Sequence, residues 1–405
     1  MNELKPLLDE ATSLQGETLA LRRLLHAEPE VGLDLPDTRE KVLTALEDLP
    51  LDLVLHQSSS GIVATLRGKG DGPAILLRGD MDALPMTEET GLAFTSLREG
   101  AAHACGHDAH TAMLASAARM LCAHREELEG DVVFMFQPGE EGHFGARVML
   151  EEGLLEQAPD VAAVFALHVA PQLPCGTVGT RPGPLMASAD VFEIEVQGKG
   201  GHASMPHDCV DPVPVACEIV QALNSFVTRR IPATDPVVLT VARFQAGTTN
   251  NVIAERATLT GTLRALSEGS RERARQGILE VAEHVARAHG SKAVIHIEPG
   301  YPVTANDPAF TGFASGVART LLGENAVIPL PVPVMGAEDF SYLLNERPGA
   351  MFFLGVRPAG VTEPAPCHSN RMVLEEEALA FGSALHAAVA LEFLHTSPAD
   401  PSGIR

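Results

Sequence analysis

Positive charge is scarce in this chain. Lys and Arg number 29 against 53 Asp and Glu, leaving a formal net charge of −24, and lysine occurs only at 5, 41, 69, 199 and 292. Such a polyanion repels phosphate backbones and anionic lipid, so no nucleic acid and no membrane surface are expected as partners. There is no uninterrupted apolar run of about 18 residues, hence no expected membrane span. The start, MNELKPLLDEATSL, has acids early and no basic-then-apolar signal pattern. The cysteines at 105, 122, 175, 209, 217 and 367 form no CxxC and no dense framework, which points to a reducing, cytoplasmic setting. GxSxG and HExxH are both missing, so neither a serine hydrolase nor a gluzincin-type site is supported. No internal repeat or low-complexity tract breaks the chain, and the glycines of Gly68-Lys-Gly-Asp-Gly72 read as a turn rather than a phosphate cradle.

What is present is an ordinary globular composition, 45% hydrophobic and 20% charged over 405 residues, enough for two or three domains. Leu4, Leu7, Leu8, Ala11, Leu14, Leu21, Leu24 and Leu25 recur at helical steps up to Pro29, which ends the ladder. Asp37, with Glu40 three residues on, would cap the next helix. Apolar runs at 61–66, 74–77, 131–136 and 161–168 read as buried strands, with helices at 110–123 and 147–153 between them. That alternation predicts an α/β layer with a mixed, mostly parallel sheet. Beyond Pro182–Pro184 the order becomes strand 191–196, helix 213–227, strands 237–244 and 257–263, helix 271–288 and strand 293–297. This is the β-α-β-β-α-β pattern of a ferredoxin-like unit. The α/β pattern resumes with a helix at 309–322, a strand at 351–355 and a helix at 375–394. The expected organisation is a catalytic domain in two parts, 1–184 and 299–405, with an inserted α+β dimerisation or lid domain at 185–298. The tail 396–405 is expected to fray.

The densest chemistry is His103-Ala-Cys105-Gly-His107-Asp108-Ala-His110, just before a helix. In an extended segment Cys105 and His107 project to one side, and so does His103. Metal-capable groups converging there are hard to explain by packing, and spacing alone leaves His103, Asp108 and His110 open as further ligands. Gln137-Pro-Gly-Glu140-Glu141-Gly142 follows a predicted strand, where open sheets bind ligands. One glutamate could bind metal while the other serves as general base. His168 ends an apolar run, and Cys367-His368-Ser369 follows a Pro-rich loop.

Taken in order, the motifs resemble the aminoacylase / hippurate hydrolase / auxin-conjugate hydrolase group of metal-dependent amidohydrolases, over nearly the whole chain. The resemblance rests on Leu25-His-Ala-Glu-Pro-Glu-Val-Gly32, Arg78-Gly-Asp-Met-Asp-Ala-Leu-Pro85, the 103–110 and 137–142 segments, and Gly198-Lys-Gly-Gly-His-Ala-Ser-Met-Pro206. Asn251-Val-Ile-Ala254, Gly261-Thr-Leu-Arg264, Met335-Gly-Ala-Glu-Asp-Phe340 and His368 extend it. It implies a metallopeptidase-like catalytic domain and five metal ligands, Cys105, His107, Glu141, His168 and His368. It further implies Glu140 as the base and Asp82 as the residue that orients a ligand, while Asp80 has no assigned role. His202 would reach a partner subunit's active site and polarise the scissile carbonyl. Asn251 and Arg264 would hold the substrate carboxylate, and Gly336 would contact substrate. Three positions depart from the family pattern, Gly139 for alanine, and Ala254 and Asn370 for prolines. All three lie in loops and bear on substrate shape rather than reaction class.

Five ligands exceed the three protein ligands of a single catalytic zinc, so the resemblance implies two divalent ions per subunit. A thiolate and a carboxylate offset part of their mutual repulsion, and the mixed donor set admits zinc, manganese, cobalt or nickel. The expected reaction is hydrolysis of N-acyl-L-amino acids (N-acetyl, N-benzoyl or indole-acyl conjugates) by a homodimer or homotetramer joined through the inserted domain. The nearest alternative is a metallo-dipeptidase or carboxypeptidase of the same fold. Glu140 separates both from a non-catalytic binding protein, which needs no base.

Overall fold

Leucine- and valine-rich runs flanked by glycine and proline form strands, and the computed structural model, which describes residues 4–158 and 160–396, gathers most of them into two separate sheets. The chain divides into two compact units. One takes the described residues of 1–183, 305–331 and 342–405, the other those of 184–304 and 332–341. The expected division at 299 left 332–341 with the catalytic domain. This segment instead goes with the second unit, because the Ala187 N–H donates to the carbonyls of both Val334 (3.1 Å) and Gly336 (2.9 Å).

The first unit is built on an eight-stranded sheet. Its order is Asp52–Leu55, Ile62–Leu66, Gly130–Gln137, Gly72–Asp80, Val161–Pro174, Gly349–Arg357, Val178–Thr180, Val327–Pro329. Four of the pairings are parallel, including those that join the three central strands, and the remaining three are antiparallel. This is the mixed, mostly parallel sheet expected from the alternation of elements. The central strands are covered on both faces, which is why they read as unbroken apolar runs instead of alternating ones.

Helix His107–Ala123 has 14 of its 17 residues buried, and it packs against Ala378–Thr396. The latter helix is long and apolar enough to cross a bilayer by composition alone, but 83% of its apolar window is buried inside the protein. Its apolar character is explained by its place in the core.

Several boundaries differ from the periodicity reading. The first helical stretch is two helices, Lys5–Ser13 and Gln15–Ala27, meeting at Leu14. Asp37 does not cap the next helix, which begins one residue earlier at Pro36. The Glu30 carboxylate does so instead, taking the Thr38 N–H at 2.7 Å. The strand expected to stop at His168 runs on to Pro174. Residues 397–405, most of the tail expected to fray, lie outside the described residues.

In the second unit the sheet order is Val237–Ala246, Arg256–Ala265, Asp190–Gln197, Lys292–Pro299, all antiparallel. Numbered along the chain the order is 2-3-1-4, with helices Pro212–Arg230 and Glu268–Ala288 completing the β-α-β-β-α-β connection. This is the ferredoxin-like topology. Phe192, Ile194 and Val196 lie in one apolar cluster with Ile219 and Leu223 of one helix and Ile278 of the other.

Candidate metal centre

Strand register sets the level of the site. Asp80 pairs with Gln137 and Arg78 with Ala166, so two residues further along Asp80 stands level with His168, which pairs with Phe353 on its other side. Just past Asp80 and Gln137 the chain leaves the sheet in two loops, 81–86 and 138–144, at the carboxyl ends of parallel strands. Open α/β sheets bind ligands there.

Asp82 fastens these loops together. Its carboxylate accepts the backbone N–H groups of Glu140 and Glu141, each at 3.0 Å. It also lies 3.3 Å from Nδ1 of His107. The Met81 N–H donates to the Gln137 carbonyl (2.7 Å), and Leu84 and Ala102 exchange both backbone hydrogen bonds at 3.0 Å. One buried carboxylate thus positions the two adjacent glutamates and turns the other nitrogen of His107, Nε2, towards the site.

His107 is the first residue of its helix, not part of an extended run before it. Gly106 makes the junction in the left-handed region, φ 85°. A Cβ there would lie 2.4 Å from Cγ2 of Val169, so only glycine fits both the dihedral and the space. Cys105 and His107 therefore converge through a left-handed turn rather than through strand-like alternation.

The side chains form overlapping groups. The ligand atoms of Cys105, His107 and His168 lie within 4.8 Å of one another, as do those of Cys105, Glu141 and His368, and those of His107, Glu140 and Glu141. Cys105 Sγ is 3.4 Å from His168 Nε2, while His168 Nδ1 is 2.8 Å from the Val169 carbonyl. His368 Nε2 is 3.1 Å from Glu141 Oε1. His368 holds a positive φ of 68°, an uncommon conformation for a side-chain-bearing residue that concentrates at functional sites.

The electrostatics favour a cation. Burial opposes charge on His107, but the carboxylates of Asp80, Asp82 and Glu141 outweigh it and raise its pKa well above the usual imidazole value. Burial likewise opposes charge on Glu141, and His368 and His107 hold it below the usual carboxylate range. His107 Nε2 is buried with no hydrogen-bond partner. A buried imidazole nitrogen with no hydrogen bond, 3.6 Å from Asp80 Oδ2 and 3.9 Å from Glu141 Oε1, fits a divalent metal ion that would take the place of the proton.

Of the three residues that spacing left open, Asp108 and His103 stand outside this cluster, and His110 groups with Asp80 and His107 rather than with Cys105. Asp108 turns to Arg22 Nε (3.0 Å) and His26 Nδ1 (2.8 Å), anchoring the helix start. His103 is buried with both ring nitrogens unpartnered, and burial pushes its pKa down to about 3. His110 is used twice: Nδ1 meets Asp80 at 2.6 Å, and Nε2 accepts the Val169 N–H at 2.8 Å. No lone pair is left for a metal. Asp80 acquires a place that the sequence did not reveal. It is fully buried, pairs with Arg78 and joins His110 to the sheet. The His110 ring lies 5.4 Å from that of His107 and 4.7 Å from that of His168, spacing the two imidazoles.

The remaining candidates belong to the second unit. His202 and Val252 are directly paired across a two-stranded ribbon, and Asn251 accepts the Ala203 N–H at 3.1 Å. His202 Nδ1 accepts from the Ser204 N–H (3.1 Å), and among the described residues Nε2 has no hydrogen-bond partner. Arg264 shares its strand face with Thr258, Thr260 and Thr262. Burial pushes its guanidinium pKa down, with Asp190 opposing. Asp190, however, is already held by Arg271 and Arg275. Gly336 lies in the 332–341 segment.

A thiol, imidazoles and carboxylates clustered at the carboxyl end of a mixed sheet, with a buried acid beside them, define a metal-dependent hydrolase. The chain belongs to peptidase family M20/M25/M40, whose sequence profile matches residues 76–392. It is 39% identical to the N-acetylcysteine deacetylase of Bacillus subtilis (strain 168) over 377 residues, 93% of this chain and 96% of the other. It is 37% identical to the IAA-amino acid hydrolase ILR1-like 4 of Arabidopsis thaliana, over 93% of this chain and 85% of the other. The crystal structure of the Bacillus subtilis YXEP protein, a dinuclear metal binding peptidase from the M20 family, superimposes with a TM-score of 0.84 at 35% identity, covering 95% of this chain and 100% of the other.

Proposed function

We propose that this protein hydrolyses the amide bond of small N-acyl-L-amino acids, using two divalent metal ions held by Cys105, His107, Glu141, His168 and His368. The observation that carries the reading is the pair of overlapping ligand groups that share Cys105, with Glu140 fixed beside them by Asp82. Each group would hold one ion. The relatives named above support it, one by name an N-acetylcysteine deacetylase and the other an IAA-amino acid hydrolase. Zinc, manganese, cobalt and nickel all suit the donors.

Held by these five residues, divalent ions would supply a water of lowered pKa and polarise the substrate carbonyl. Glu140, 6% exposed and grouped with His107 and Glu141, takes a proton from the water and returns it to the departing amine. Asp82 holds the Glu140 backbone so that the carboxylate does not wander. The planar guanidinium of Arg264 and the amide of Asn251 bind the substrate carboxylate, with Gly336 contacting substrate. His202 of the partner subunit donates to the developing oxyanion. Pairing of two or four copies through the second unit, and a cytoplasmic setting, complete the proposal.

The test is a panel of N-acetyl, N-benzoyl and indole-acyl amino acids, with matched dipeptides, assayed for amine release by metal-stripped protein given each divalent ion in turn. Metal-restored cleavage of the acyl amino acids is the expected result. Faster cleavage of the dipeptides would transfer the assignment to a peptidase, and no cleavage with any ion would end it.

A further inference from the structure

Cys367 belongs to none of the ligand groups, yet it stands against the most important of them. The His368 N–H donates to the Ala104 carbonyl at 2.8 Å, laying the 367–368 segment beside the Cys105 turn. Cys105 Sγ touches His168 Nε2 at 3.4 Å. Cys367 Sγ lies 3.9 Å from the Val169 carbonyl, the same oxygen that meets His168 Nδ1. Both sulfurs thus flank one peptide step, near enough for each thiol to alter the other's hold on its proton. All six cysteines are free.

We propose that Cys105 and Cys367 form a reversible disulfide when the metal centre is empty, so that metal loading and oxidation of this pair exclude each other. The inference rests on the reading of Cys105 as a metal ligand and adds a regulation to that site. A metal-bound thiolate is not free to react, whereas in the stripped protein both thiols are unligated on neighbouring segments. With hydrogen peroxide as oxidant, one thiol attacks a peroxide oxygen, the O–O bond breaks, and a sulfenic acid and water result. The second thiol then attacks that sulfur, the S–O bond breaks, and a second water leaves with the disulfide. Two thiols and one peroxide give one disulfide and two waters. The bond removes Cys105 from the ligand set, and a dithiol reductant restores it.

The experiment uses the full chain, stripped with a chelator, freed of it and exposed to hydrogen peroxide, beside a zinc-loaded sample and the Cys367→Ser variant. Intact mass and peptide mapping are read together with metal uptake. The stripped wild type should lose two hydrogen atoms and yield one peptide joining residues 105 and 367. It should cease to take up zinc and recover with dithiothreitol. The loaded sample and Cys367→Ser should give no such peptide, and reduced Cys367→Ser should still take up zinc. Oxidation without the 105–367 peptide, or the same peptide at the same rate with zinc in place, overturns the inference. Failure of the reduced wild type to take up zinc defeats the metal reading instead, and the two failures are separately visible.

Discussion

The carboxylate of Asp82 accepts the backbone N–H of Glu140 at 3.0 Å, and this bond connects two segments 58 residues apart. The same carboxylate takes the Glu141 N–H and faces His107, so it holds one proposed base and two proposed ligands. Asn at position 82 keeps one acceptor and loses the charge. Metal affinity of Asp82→Asn, measured by competition with a chromophoric chelator, should fall by roughly 10–100-fold. Unchanged affinity would show that the ligands hold their places without it.

Glu140 is buried and within ligand distance of His107 and Glu141. Substituting glutamine preserves its shape and removes the proton acceptor. Turnover of Glu140→Gln should drop by about 10²–10⁴, with metal content by elemental analysis equal to wild type. Wild-type turnover, or loss of the metal, would reassign the residue.

The sequence made some of this legible and hid the rest for a physical reason. Local patterns carry local information: the 103–110 and 137–142 segments announced their donors, and apolar periodicity located the helices and strands to within a few residues. What stayed hidden depends on bonds between distant segments. Asp80 is understood only through Arg78, His110 and the strand that carries Val169, and His110 is disqualified as a ligand only by the Val169 N–H. Glu30 displaces Asp37 as a helix cap through a bond that spans eight residues, its carboxylate taking the Thr38 N–H. Cys367 looks like a loop residue until the His368–Ala104 bond sets it beside Cys105.

Gly106 offers a test of the turn itself. Alanine there must take up φ 85° and meet Val169 Cγ2 at 2.4 Å. Gly106→Ala should lose about 1–3 kcal/mol of stability, seen as a lowered midpoint in denaturant, and should bind metal poorly. Adding Val169→Ala removes the clashing methyl and should recover part of the loss, while the dihedral cost remains. A single variant as stable as wild type would mean the turn has another conformation open to it.

Arg264 is half-buried and its natural partner Asp190 is occupied by Arg271 and Arg275. An unpaired, partly desolvated guanidinium recognises an incoming carboxylate. For Arg264→Ala, KM for an N-acetyl amino acid should rise by about 10–100-fold, in keeping with a charge-assisted hydrogen bond of roughly 1.5–3 kcal/mol. KM for the corresponding amide, which lacks the carboxylate, should hardly move. Equal changes for both substrates would mean that Arg264 supports the strand rather than the ligand.

His26 gives the pH dependence. It is buried between Asp108 (2.8 Å) and Glu88 (3.1 Å). Burial opposes its charge, but those carboxylates prevail and lift its pKa to about 9, while Glu88 is held down to about 2. Since the folded value exceeds the unfolded one of about 6.5, the stabilisation is complete below that pH and fades as pH rises through 9. A neutral glutamine cannot supply it at any pH. The difference in thermal midpoint between wild type and His26→Gln should therefore be greatest near pH ~6 and shrink steadily towards pH ~9.5. The full gap corresponds to at most about 3 kcal/mol. Asp108 also anchors Arg22, so a residual difference should persist at high pH. A gap that widens with pH would show that His26 is neutral in the folded protein and that Arg22 alone balances Asp108.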